Sequence, residues 1–152
     1  MMPFRKILAP TDFSDPSYEA LNAANELALH FAAELSVVHV VPLVPVTPTT
    51  SDPAAFNVPL YQQGLQISYE KMLNEVVEKW VSKKLSVRSK VLQGDAAHEI
   101  VRVADDENID LIVISTHGET GLGHLIFGSV AEKVVRLAPC PVLTTRRAGT
   151  DT

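Results

Sequence analysis

Several functional classes are excluded by what this chain has little of. There is one cysteine, Cys140, so no internal disulfide can form, and a lone cysteine is expected as a small, half-buried hydrophobe. Lysine and arginine number 13 against 18 acids, a formal net charge of −5, with no basic block. That balance argues against a nucleic-acid-binding face, whose phosphate contacts need clustered cations. No apolar run approaches the length of a membrane span, so no membrane association is expected. Met1 to Arg5 leads straight into a strand and helix pattern, without the basic start, apolar stretch and cleavage site of a targeting segment. A reducing cytoplasm is the expected setting. No Cys/His spacing recurs, so no metal centre is expected. No nucleophile, base and orienting group can be assembled, so no catalytic residue is assigned. Neither G-x-x-x-x-G-K-[ST] nor G-x-G-x-x-G occurs.

What is present reads as one globular domain of 152 residues, 46% hydrophobic and 20% charged. Residues 1–147 are assigned to it, with 148–152 as a disordered tail. Lys6 to Pro10 is a short apolar run stopped by proline, a first strand. Ser14 is the expected N-cap of a helix running to about Ala33, with Leu21, Ala24, Leu27, Ala28 and Phe31 at helical spacing. Leu35 to Val41 reads as a second, buried strand. Five prolines between Pro42 and Pro59 predict an irregular excursion over 42–63. Tyr69, Met72, Leu73, Val76, Val77, Trp80 and Val81 then form the clearest helical stripe, with Met72 and Trp80 expected in the core. Ser86 to Leu92 alternates as a half-covered strand. Asp95 is the expected cap of a short helix bearing Ile100 and Val101. Asp110 to Ser115 is a strand buried on both faces. Ser129 to Leu137 reads as a helix, with Ser129 and Glu132 spaced as a capping box. Val142 to Arg146 is a last strand. Strands alternating with helices predict a parallel sheet covered on both faces. Ligands of such sheets sit beyond the carboxyl ends of the strands.

At that end lies the most telling stretch, Ile112 to Val130. A buried strand gives way to Gly118, Gly121 and Gly123, crowded into six residues, and Gly128-Ser129 then opens a helix. A loop of this kind exposes backbone N–H groups beside a helix N-terminus, a geometry suited to phosphate. By spacing alone, a plain turn-rich connection is as good a reading. His124 is placed in this loop near phosphate, and His117 as a packing or hydrogen-bonding residue beneath it. His30 and His98 read as helix-surface residues.

Four segments together carry a resemblance. They are Ile7 to Ser14, His39-Val40-Val41, Ser115-Thr116-His117-Gly118 followed after nine residues by Gly128-Ser129-Val130-Ala131-Glu132, and Ala138 to Leu143. Over nearly its whole length the chain resembles a single-domain, UspA-like universal stress protein. The resemblance implies an α/β, three-layer Rossmann-like fold of the adenine nucleotide alpha hydrolase-like kind. Its five-stranded parallel sheet would run in the order 3-2-1-4-5. It implies an adenine-nucleotide site in which Asp12, beside Pro10 and Thr11, contacts ribose and Val40 meets adenine through its backbone. Ser115, Gly118, Gly128, Ser129 and Val130, with Ile114 and His117 alongside, would hold phosphates and ribose. It further implies ATP, ADP or AMP as ligand, with or without magnesium, and a homodimer joined along Val142 to Arg146. The role implied is a stress-response sensor or regulator, with slow ATP hydrolysis at most. A nucleotide-free dimeric interaction module and a weak ATPase are the alternatives. Two positions depart from the family pattern: Ser115 stands for the first glycine of its signature, and Glu119 occupies a place where many relatives are basic. Both point to a weaker or altered nucleotide preference, such as a ligand with fewer phosphates than ATP, and they are the features that favour the nucleotide-free alternative.

Overall fold

The computed structural model describes residues 3–44, 57–117 and 127–147. Within them the order is β1 (Lys6–Pro10), α1 (Asp15–Phe31), β2 (Glu34–Val41), α2 (Val58–Trp80), β3 (Val87–Gln93), α3 (Ala96–Asp106), β4 (Leu111–Ser115), α4 (Ser129–Leu137) and β5 (Val142–Thr145). The strands form one parallel sheet in the order β3-β2-β1-β4-β5.

The period-two geometry of the strands divides the core between the two faces. On one face Ile7, Ala9, Leu35, Val37, Leu111 and Val113 pack against Ala20, Leu21 and Ala24 of α1 and Leu73 and Val76 of α2. On the other, Leu8, Val38, Ile112 and Ile114 pack against Ile100 and Val103 of α3 and Val134 of α4. The three central strands are therefore apolar on both sides, as a doubly covered sheet requires. β3, at one sheet edge, is only partly covered and shows exposed Arg88, Ser89 and Lys90.

Helix starts follow local chemistry. Ser14 caps α1, accepting from Ser17 N–H, and Asp95 caps α3, accepting from His98 N–H. Helix α1 stops at Phe31, two residues short of the sequence expectation, because Ala32 turns left-handed at φ 52°. Gly94, at φ 139°, makes a turn between β3 and α3 that a side chain would strain.

Four expectations are corrected. The proline-rich excursion does not reach residue 63, because α2 begins at Val58. Pro59 sits in its first turn, where a missing N–H costs nothing, and Asn57 caps it by accepting from Leu60 N–H. Residues 45–56 of the excursion lie outside the described residues. Met72 is 41% exposed, at the margin of the stripe, while Leu73 and Val76 on its centre are buried and Trp80 is half-buried against Tyr18. The capping box at Ser129 does not form: Gly128 is the N-cap of α4, and no side chain bonds there. The last strand ends at Thr145, one residue earlier than expected.

Candidate functional site

Strand β2 runs past β1. Pro10 pairs in register with Val38, and β1 ends there while β2 continues to Val41. The step leaves a crevice at the carboxyl ends of the strands, between β1 and its two neighbours β2 and β4, where the sheet order reverses. A cavity of ≈ 270 Å³ occupies it.

The first wall is the β1–α1 turn, and it is held by side chains. Thr11 N–H donates to Val38 C=O at 2.8 Å. The Thr11 hydroxyl accepts from Phe13 N–H at 3.1 Å and lies 2.8 Å from Ser17 Oγ. The Ser17 proton goes to Ser14 C=O, so the Thr11 hydroxyl is the donor in that pair. Asp12 Oδ1 accepts from Ser14 N–H at 3.0 Å and from the Ser14 hydroxyl. Phe13 is left-handed, at φ 65°, a conformation costly for a bulky residue. Its ring is packed 4.5 Å from His39 and 5.8 Å from Tyr69. His39 is buried and its Nδ1 lies 2.8 Å from the Thr11 carbonyl. A carbonyl only accepts, so Nδ1 carries the proton. Burial lowers the His39 pKa from the imidazole norm, against the opposing pull of the Thr11 carbonyl and the Asp12 carboxylate.

The second wall is the end of β2. In a parallel ladder a residue's N–H and C=O point to the same side, and successive residues alternate. Val38 C=O is bonded on the β1 side and Val41 C=O on the β3 side, to Gly94 N–H. Val40 therefore presents both its N–H and its C=O toward β1, beyond the point where β1 has ended.

The third wall joins β4 to α4. Ser115 donates its hydroxyl to His117 C=O at 2.7 Å, and Thr116 C=O accepts from Gly128 N–H. The first turn of α4 follows, with Ser129, Val130 and Ala131 lining the cavity and no side chain spent on capping. Its unsatisfied amides give this wall a partial positive charge. Val38, Ile100 and Ile114 supply the apolar lining. Asp12 is the one acidic side chain among the described lining residues, and no Lys or Arg joins it there.

The sequence-predicted residues Pro10, Thr11, Asp12, Val40, Ile114, Ser115, Gly128, Ser129 and Val130 are thus brought to one cavity. His117 is not among its lining residues, and its ring is instead 3.0 Å from the Thr116 hydroxyl. Gly118, Glu119, Gly121, Gly123 and His124 lie outside the described residues. Sequence reasoning passed over Ser17, His39 and Thr116, which also line the cavity. The available signal was a polar residue at a buried position of an otherwise apolar strand, as at His39. Among the described residues no group of three or more His, Cys, Asp or Glu is placed to hold a metal ion, and no helix is long and apolar enough to cross a membrane.

Comparison with known proteins adds four findings. The model of the universal stress protein family matches residues 3–146. The chain is similar to universal stress protein MJ0531 of Methanocaldococcus jannaschii, at 37% identity, covering 95% of this chain and 83% of that one. Among solved structures it is similar to hypothetical protein MJ0577, at 28% identity and TM-score 0.78, covering 97% of this chain and 99% of that one. It shares its fold with the Archaeoglobus fulgidus universal stress protein solved in complex with dAMP, at 24% identity and TM-score 0.63, covering 95% and 98%.

Proposed function

The chain belongs to the universal stress protein family, and on that footing we propose that its cavity binds an adenine nucleotide as a regulatory ligand. The observation that carries the reading is the backbone edge of Val40. Its N–H and C=O lie side by side facing the cavity, one donor and one acceptor. The Watson–Crick edge of adenine offers the matching pair, N1 to accept and the 6-amino group to donate. Guanine and hypoxanthine present the reverse pattern there, so the same edge rejects them. Asp12, on the facing wall, is placed to accept from ribose hydroxyls. The open first turn of α4 supplies amides for phosphate, with Gly128, Ser129 and Val130 nearest. The apolar lining of Val38, Ile100 and Ile114 suits the faces of the base. The dAMP complex of the Archaeoglobus fulgidus relative is in keeping with this ligand class.

Among the described lining residues there is one carboxylate and no Lys or Arg, which favours a monophosphate over a triphosphate that would need magnesium to screen it. Ser115 in place of glycine and Glu119 in the loop sequence act in the same direction. The nucleotide is then a ligand that shifts a population of states, not a substrate turned over rapidly. Its readout would pass to a second copy of the chain along β5, where Leu143 is 41% exposed on the sheet edge opposite β3. Titration calorimetry with AMP, ADP and ATP, each with and without magnesium, and with IMP as the base control, tests the proposal. Heat with AMP and none with IMP is expected. Silence with all three adenine nucleotides at high protein concentration would overturn it.

A further inference from the structure

The Val40 edge is open because two side chains stop the β1–β2 ladder, and we propose that His39 is the positioning residue that keeps it open for the base. The ladder itself says what should come next. Pro10 is in register with Val38, and Thr11 N–H bonds Val38 C=O. The following rung of a parallel pair would take Val40 N–H to Thr11 C=O and Phe13 N–H to Val40 C=O. Neither bond is made among the described residues. The Thr11 carbonyl is held by His39 Nδ1 at 2.8 Å, and Phe13 N–H is held by the Thr11 hydroxyl at 3.1 Å. Each diverted group is one that Val40 would otherwise have used. The His39 ring does not wander: it is buried, 4.5 Å from Phe13 and 4.7 Å from Tyr69 of α2. The same ring thus fixes the Thr11–Asp12 peptide, and with it the carboxylate of the opposite wall.

This inference rests on the adenine reading for its purpose, but not for its geometry. The side chain closes no bond with the ligand; it withholds a carbonyl from the strand so that an amide stays available. Its removal should let β1 zip one rung further, saturating the donor that the base needs.

Two variants separate the donor from the ring. His39→Phe keeps an aromatic ring and loses the Nδ1 donor, whereas His39→Asn keeps a donor at the same branch point. Amide hydrogen exchange of Val40 is the first readout, taken without any nucleotide. In the wild-type protein this amide should exchange rapidly; in His39→Phe it should slow by about tenfold or more, and in His39→Asn it should return toward the wild-type rate. AMP affinity, by calorimetry, should fall by about tenfold in His39→Phe and recover in His39→Asn. Val40 exchange that is unchanged in His39→Phe overturns the inference, as does His39→Asn behaving like His39→Phe in both readouts. Should His39→Phe not fold, nitrogen chemical shifts of the wild-type ring still decide. A neutral ring protonated on Nδ1 supports the proposal, and one protonated on Nε2 sinks it. If AMP does not bind the wild-type protein at all while Val40 exchange responds as expected, the nucleotide reading fails and the ladder stop stands.

Discussion

Two serines stand at two helix starts on either side of the same cavity, and they do opposite things. Ser14 is buried, caps α1 by accepting from Ser17 N–H, and donates to Asp12. Ser129 is exposed, is already the first residue of α4, and caps nothing. Around Ser14 the wall is a closed set of side-chain bonds through Thr11, Asp12 and Ser17, with each donor given a partner. Around Ser129 the wall is bare backbone. The first construction fixes a carboxylate in one orientation, which suits a directional partner such as a ribose hydroxyl. The second leaves amides unsatisfied by side chains, which suits an anion. One side of the cavity contributes mainly geometry, and the other mainly charge.

Breaking the geometric wall should give the largest effects. Asp12→Ala removes the carboxylate and should weaken AMP roughly 10- to 100-fold, the span of a hydrogen bond to a charged group. Calorimetry checks it, and an affinity within a factor of about two of wild type would end the ribose assignment. Thr11→Val keeps the volume of a 5%-exposed residue but leaves Phe13 N–H without its acceptor and takes from Ser17 Oγ the bond it accepts. It should destabilise the fold by about 1–3 kcal/mol in urea unfolding. An unchanged midpoint would mean that the network is not holding the turn.

Most of the fold was legible because long periodic segments specify themselves. The apolar runs of β1, β2 and β4 and the capped starts at Ser14 and Asp95 agree with one another and with the alternation of strands and helices. The misreadings have local causes. Pro59 looked like a breaker because proline usually is one; at the first turn of α2, preceded by Asn57, it is instead a start signal. The Ser129–Glu132 spacing looked like a capping box because the pattern cannot say whether the cap is residue 128 or 129. Met72 satisfied the helical period, but α2 buries only a narrow stripe around Leu73 and Val76. The candidate site was readable where a motif is contiguous, as at Thr11-Asp12, and unreadable where it is not. His39 and Thr11 are 28 positions apart, and nothing local marks His39 as the partner of that carbonyl.

The geometric wall also contains a histidine whose burial links its protonation to folding. Burial holds the His39 pKa below the 6.5 of a free imidazole. As pH falls, the unfolded chain therefore takes up this proton before the folded one does. Stability rises with pH where the unfolded state binds more protons. The contribution of neutral His39 is complete above the unfolded value of 6.5 and is lost as pH drops from there toward the folded value. Thermal unfolding of the wild-type protein should show a steeper decline on mild acidification than His39→Asn, which cannot titrate. Parallel declines would place the acid sensitivity elsewhere.

The smallest effect should come from the serine that the sequence marked most clearly. Ser14→Ala removes a cap that bonds both the α1 backbone and Asp12, and should cost about 1 kcal/mol, within the usual range for an N-cap. Ser129→Ala removes a hydroxyl that makes no cap bond on an exposed first turn. It should shift stability by no more than about 0.5 kcal/mol, as surface substitutions usually do. The amides that face the cavity survive the change, so AMP affinity should also hold. Urea unfolding of the two variants side by side decides the matter. A loss at Ser129 equal to that at Ser14 would mean that α4 is capped by its serine after all. The α4 wall would then be another closed hydrogen-bond network, and the charge it offers a phosphate would be correspondingly smaller.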